Sequence, residues 1–176
     1  FVGDDRIAEY RVRELQGGLD LGATLGTWGE LRLGPVFRHF DADVETGSAI
    51  LPDVRVNASG ARARLIADRL DTPFFPRSGH RLLANAFSGL TALGADDDYQ
   101  KLDAAWTAAQ SFGTHTVTAT VSGGTDLGSG LPSYDSFVLG GPFRLSGYRI
   151  GQFSGTNMAY GRLSYYNQVL RLPSLL

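Results

Sequence analysis

Apolar and polar residues alternate with a period of two along most of the chain, and helical spacing is scarce. In a first run Leu15, Gly17, Leu19, Leu21, Ala23 and Leu25 share one face, with Gln16, Gly18, Asp20, Gly22 and Thr24 on the other. Gly26-Thr-Trp-Gly29 then reverses the chain. A second run sets Leu31, Leu33 and Pro35 against Glu30, Arg32 and Gly34 and continues less regularly from Phe37 to Val44. The third, about Val54 to Leu70, moves its apolar set from Val54, Val56 and Ala58 to Ala61, Ala63, Leu65 and Ala67, with Arg62, Arg64 and Asp68 opposite. That change of phase predicts a bulge or glycine kink near Gly60. A fourth run spans Arg81 to Leu93 with no decided phase. Leu102, Ala104, Trp106 and Ala108 alternate with Lys101, Asp103 and Thr107 in the fifth, and Val117, Ala119 and Val121 with threonines in the sixth. A seventh, Tyr160 to Leu170, sets Gly161, Leu163, Tyr165 and Val169 against Tyr160, Arg162, Ser164 and Tyr166. The pattern predicts an all-β, antiparallel up-and-down sheet.

The connections alternate in length: short at Gly26, longer at Glu45, short at Asp71, acidic at Gly94, short at Phe112, and very long over residues 123–156. A sheet whose two ends meet different surroundings has this form, as outer-membrane barrels do. Runs of this length also meet the roughly 9 to 11 residues that a tilted strand needs to cross a bilayer. An arginine facing lipid at mid-bilayer costs about 2–4 kcal/mol, and Asp20, Glu30, Arg32, Arg62, Arg64, Asp103 and Arg162 all fall on the polar face. That face is assigned to a wet or plugged lumen and the Leu, Ala and Val face to lipid. A soluble β-sandwich with one solvated face gives the same alternation and stays open as an alternative.

Composition narrows this little. The 176 residues carry a net charge of -2 with 43% hydrophobic residues, compatible with either environment. No window is long and apolar enough for a transmembrane helix. Cysteine is absent, which removes disulfides and thiolate chemistry. Lys101 is the only lysine, and no basic run suggests a nucleic-acid partner.

Two stretches stand out. Asp71-Thr-Pro-Phe-Phe-Pro-Arg-Ser-Gly79, with Pro73, Phe74 and Pro76 before a terminal glycine, forbids ordinary strand pairing and marks a shaped turn. The second, Phe137 to Tyr148 and onward, mixes Gly140, Gly141, Gly147 and Gly151 with Arg144, Ser146, Tyr148 and Arg149, so a pliable backbone carries large side chains that need somewhere to dock. Leu70 to Gly79, a strand, two further strands, and then Phe137-Val-Leu-Gly-Gly-Pro-Phe-Arg-Leu-Ser-Gly-Tyr148 resemble the BamA-type superfamily of outer-membrane assembly and secretion barrels. More narrowly the pattern is similar to the carboxy-terminal barrel of patatin-like phospholipases of type Vd secretion.

The resemblance implies a barrel of about sixteen strands, of which residues 1–176 would be a single segment of about seven strands, incomplete at both ends. Leu172-Pro-Ser-Leu-Leu176 lacks the terminal aromatic strand such barrels end on, so either further chain or a second copy in a homodimer would complete the sheet. The long loop is expected to turn inward. In the wider family a Val-Arg-Gly-Tyr or Phe signature holds that loop, its arginine paired with an acid on a lumen-facing strand. Here Ser146 stands at the arginine's place, which leaves two alternatives: Arg144 or Arg149 paired with Asp103, Asp20 or Glu30, or packing of Tyr148 with glycine backbone contacts.

Candidate chemistry is sparse. No serine has the flanking glycines of a nucleophile elbow, so no catalytic role is assigned. His39, His80 and His115 lack ligand spacing, and Asp96, Asp97 and Asp98 lack that of a known calcium loop, so neither a metal nor another cofactor is expected. The expected role is an outer-membrane segment, bathed in lipid, that anchors and helps translocate or assemble a covalently linked amino-terminal passenger, a patatin-like lipase in the parent protein. A passive pore or structural anchor is the alternative within the membrane. Replacing Gly147 by Val is expected to impair barrel assembly or passenger export.

Overall fold

The computed structural model describes residues 8–47, 54–142 and 144–169. Its strands are β1 (Ala8–Gly18), β2 (Leu21–Thr24), β3 (Gly29–Gly47), β4 (Val54–Asn57), β5 (Gly60–Asp68), β6 (Ser78–Gly89), β7 (Tyr99–Phe112), β8 (His115–Thr125), β9 (Phe137–Leu139), β10 (Phe153–Gly155) and β11 (Met158–Asn167). One antiparallel sheet runs β1-β3-β5-β6-β7-β8-β11, with β2 and β4 paired to β3, while β9 and β10 form a separate hairpin. The sheet is up-and-down and does not close, a partial barrel wall as the alternation predicts. The connections at residues 25–28, 69–77 and 113–114 lie at one end, and those at 90–98 and 126–157 at the other.

Several expected features differ. β1 begins at Ala8, before the first recognisable alternation; its ladder with β3 shifts register between Glu9 and Tyr10 and lapses opposite Pro35, which has no N–H to give. Leu19 N–H still reaches the Pro35 carbonyl at 3.2 Å. Of the bulge or glycine kink expected near Gly60, the structure has no bulge; the strand instead breaks between Asn57 and Gly60, where a Cβ on Gly60 would stand 2.0 Å from the Ser88 carbonyl. His39↔Asn57 and Val36↔Gly60 keep one register across β4 and β5, so Ala58 stays in phase with Gly60 and Arg62. The apolar set changes sides because at that level the inner face is itself a core: Val36 is 1% exposed, and Ala58 and Phe40 are buried beside it. The same core makes the phase of the fourth run unreadable, with Phe87 facing inward and Ala86 outward.

β6 ends at Gly89 instead of continuing to Leu93, because Thr91–Leu93 turn into a 3-10 helix closed by Gly94 in the left-handed region. β8 runs on to Thr125, so Gly123 and Gly124 are strand and the long connection starts at Asp126. The described part of the seventh strand ends at Asn167; Leu170 and the Leu172–Leu176 segment lie outside the described residues.

The sheet curls toward its polar face. β3 and β7 are three strand spacings apart, about 14 Å along a flat sheet, yet Arg38 and Tyr99 hydrogen-bond at 3.0 Å. The convex face is apolar and uncovered: Leu21 is 87% and Leu163 76% exposed, with Leu19, Leu33 and Val121 also exposed. An exposed apolar surface this continuous is what a hydrocarbon solvent requires.

Candidate functional site

The long connection folds back over the concave face, and its root is built residue by residue. Asp126 accepts the N–H groups of Gly128 (3.0 Å) and Gly130 (3.2 Å), and Ser129 Oγ accepts Gln100 N–H at 2.9 Å, which lays the chain over the start of β7. The 3-10 turn Ser133–Asp135 then drives two side chains inward. Asp135, 8% exposed, accepts at Oδ2 from Arg38 Nη2 (2.8 Å) and the Tyr99 hydroxyl (2.6 Å), and at Oδ1 from Lys101 Nζ (2.8 Å). Lys101 also donates to the Asp135 carbonyl at 2.7 Å. One carboxylate thus ties the loop to β3 and β7 together.

Aromatic rings close the cluster. The Arg38 guanidinium lies 4.3 Å from the Phe87 ring centroid, and Lys101 Nζ lies 4.7 Å from that of Phe137. Tyr134 packs on Phe40 and donates to Asp97 at 3.1 Å. Burial alone would push the Asp135 carboxyl up, but the bonds from Arg38, Lys101 and Tyr99 outweigh it and hold the group below the ordinary carboxylate range. Burial and the bond to Asp97 push the Tyr134 hydroxyl up, keeping it a donor.

The tip of the loop is a different object. Gly140 and Gly141 have φ of 128° and 102°, and a Cβ on Gly140 would stand 2.1 Å from the Arg149 carbonyl. They form the neck of the β9–β10 hairpin, where Gly141 N–H donates to the Tyr148 carbonyl at 3.1 Å. Tyr148 is 48% exposed and sets its ring edge-on to Phe153 of the same hairpin, 4.9 Å between centroids. Ser146, Gly147 and Arg149 are exposed, and a Cβ on Gly147 would meet nothing within 4 Å, so no local clash supplies a reason for the expected impairment.

Neither arginine of the tip makes the expected pair. Arg144 donates to the Val138 carbonyl at 3.2 Å, and the Arg149 backbone N–H to Gln152. The reason is local chemistry. Leu139 and Arg144 stand over Thr120, Ser122, Met158, Tyr160 and Arg162, a stretch of β8 and β11 without a carboxylate. The acids named for the pairing are engaged elsewhere: Asp20 with Arg62 at 3.1 Å, Glu30 with Arg32, and Asp103 with Asn85 Nδ2 at 2.9 Å. Arg64 donates to the other end of the Asn85 amide at 3.2 Å.

The shaped turn is fixed at the opposite end of the sheet. Asp71 accepts the N–H groups of Arg77 (2.9 Å) and Ser78 (3.3 Å); these bonds outweigh desolvation and lower its carboxyl below the usual range. Gly79, at φ 99°, lies so near the Arg69 carbonyl that a Cβ would stand 2.0 Å from it. Arg77 reaches Gln168 (2.8 Å) and the Gly113 carbonyl (2.5 Å), while the Tyr166 hydroxyl donates to the Pro76 carbonyl. Pro73, Phe74 and Phe75 thereby lean over the concave face of β8 and β11.

Asp96, Asp97 and Asp98 form an exposed acidic tip whose carboxylates accept from Asn57 N–H, the Tyr134 hydroxyl and Thr91 N–H respectively. Among the described residues no three His, Cys, Asp or Glu side chains are placed to hold a metal ion. His39 bonds Asn57, and His115 bonds Tyr165.

Sequence reasoning did not single out Arg38, Tyr99 and Asp135. Arg38 keeps the even phase of Glu30 and Arg32 and could have been read from it; Asp135, in an aperiodic loop, carries no such signal. The Omp85 superfamily domain matches residues 2–169 of the chain. No curated protein matches it.

Proposed function

The chain belongs to the Omp85 superfamily, whose members are outer-membrane proteins concerned with assembly and secretion, and from that premise we propose that it is a barrel segment that anchors a passenger joined at its amino-terminal side and helps carry it across the outer membrane. By the narrower resemblance that passenger is a patatin-like lipase of a type Vd system, and the segment described here takes no catalytic part. Its partners are outer-membrane lipid, against the convex Leu, Ala and Val face, and the linked passenger.

The observation that supports this reading is the loop root clamped on the concave face by Asp135, Arg38 and Lys101. A passive anchor needs only a filled interior, whereas a conduit needs an occupant that is held firmly at one point and leaves the remaining wall polar. Beyond the clamp the strand side of the concave wall carries Thr107, Thr118, Thr120 and Ser164 with Arg81 and Arg162, facing Pro73, Phe74 and Phe75 of the shaped turn. The test is surface display of the passenger in the full-length protein, read by protease accessibility on whole cells. Asp135→Ala is expected to reduce display while the barrel still inserts. Normal display by an inserted Asp135→Ala variant would leave the passive anchor as the better reading.

A further inference from the structure

Beside the clamp a cavity of about 200 Å³ opens on the concave face, with Arg38, Arg62, Arg64 and Lys101 in its wall against the carboxylates of Asp103 and Asp135. These charges are unevenly matched. Asp135 engages two cations, Arg38 and Lys101. Arg62 is taken by Asp20, 3.1 Å away. Arg64 has no carboxylate within ion-pair distance among the described residues: its Nε donates to Asn85 Oδ1 at 3.2 Å, and the amide passes the contact on to Asp103 at 2.9 Å. With Asp20 included, and Glu14 of β1 acting on Arg38, four cations face four acids. Of the four cations only Arg64 lacks a direct carboxylate contact among the described residues.

We propose that this cavity is a binding site for a phosphate group, with Arg64 as its main donor and Lys101 as its second. The Arg64 Nε is occupied by Asn85, which fixes the guanidinium and leaves both Nη groups to form a fork. Lys101 spends two N–H bonds on Asp135 and has a third to give. The two side chains reach in from β5 and β7 with β6 between them. Donors converging from two directions suit a tetrahedral oxyanion better than a planar carboxylate. The same chemistry could be offered by a lipid headgroup or by free phosphate, and the site stands whether or not a passenger crosses the barrel.

The test uses the full-length protein in a non-ionic detergent, with calorimetric titration of three probes: glycerophosphoglycerol as a soluble diester headgroup, inorganic phosphate, and acetate. Saturable binding of a phosphate probe is expected, with acetate much weaker. Tighter binding of the diester points to a lipid headgroup, and tighter binding of inorganic phosphate to the free ion. Arg64→Gln should weaken binding roughly tenfold or more, the scale of a lost charge-assisted pair of bonds. Asp103→Asn, which removes an acid from the wall, should tighten it. Arg32→Gln, paired to Glu30 outside the cavity, should leave it unchanged. The proposal is overturned if neither phosphate probe saturates, if acetate binds as well, or if Arg64→Gln binds like the parent. If Arg64→Gln does not fold, Asp103→Asn decides: weaker or equal binding by that variant overturns the site.

Discussion

The root and the tip of the inward loop belong to one connection and are held in opposite ways. At the root, one carboxylate from an aperiodic segment is buried against two cations and a tyrosine hydroxyl on strands that the sheet's curl brings together. At the tip, the glycine-rich stretch closes on itself: Gly141 on Tyr148, Tyr148 on Phe153, Arg144 on Val138. The difference teaches that a loop can be fastened where it enters the lumen and leave its most conspicuous residues to shape a hairpin. It also reverses the polarity that the resemblance implies, with the acid on the loop and the cations on the strands.

The sharpest way to break the comparison is at the root. Asp135→Ala leaves two half-buried cations facing each other and should cost about 3 kcal/mol, read as lost urea resistance of the folded barrel and as new protease cleavage in residues 126–136. Gly140→Val is the strongest change available at the tip. It puts a branched side chain at φ 128° against the Arg149 carbonyl, and should cost about 1–3 kcal/mol, confined to faster hydrogen exchange in β9 and β10. Tyr99→Phe removes one of the three side-chain donors to Asp135 and should cost about 1 kcal/mol while the loop stays protected. Gly147→Val, into open space, should change stability by less than about 0.5 kcal/mol; a large loss there would show that the tip is fastened after all.

Acidity separates the two regions again. The Asp135 carboxyl is held below its ordinary value, so the stability it contributes is fully present above the unfolded-state carboxylate range and is lost as pH falls through the lowered folded-state value. Protease protection of residues 126–136 should therefore fall in strong acid in the parent protein, with a smaller dependence in Asp135→Asn. The difference between the two isolates the root, because Asp71 in the shaped turn is lowered as well and contributes to the total.

Much of the wall was legible because its convex face meets a single kind of surrounding. Leu19, Leu33, Trp106 and Leu163 repeat every second residue there, and the described strands keep them on one side. The concave face was legible only where it is polar. Around Val36, Phe40, Phe87 and Tyr99 it becomes apolar to receive the loop root, so alternation fades, the third run mimics a bulge and the fourth loses its phase. The shaped turn could be recognised from its prolines and glycine, but its reach to Gln168 and Tyr166 depends on the curl of the whole sheet. Asp135 was invisible for the same reason: its partners Arg38 and Lys101 are 97 and 34 residues away in sequence, and only the tertiary arrangement makes them neighbours.

A double-mutant cycle on Asp135→Asn and Lys101→Met in the full-length protein, scored by urea stability and by protease protection of the loop, tests the clamp most directly. A clamp at the root predicts that the two changes are strongly non-additive, with a coupling of roughly 1–3 kcal/mol and little further loss of protection in the double variant. Additive effects, or full protection in both single variants, would contradict it and return the fastening of the loop to its tip.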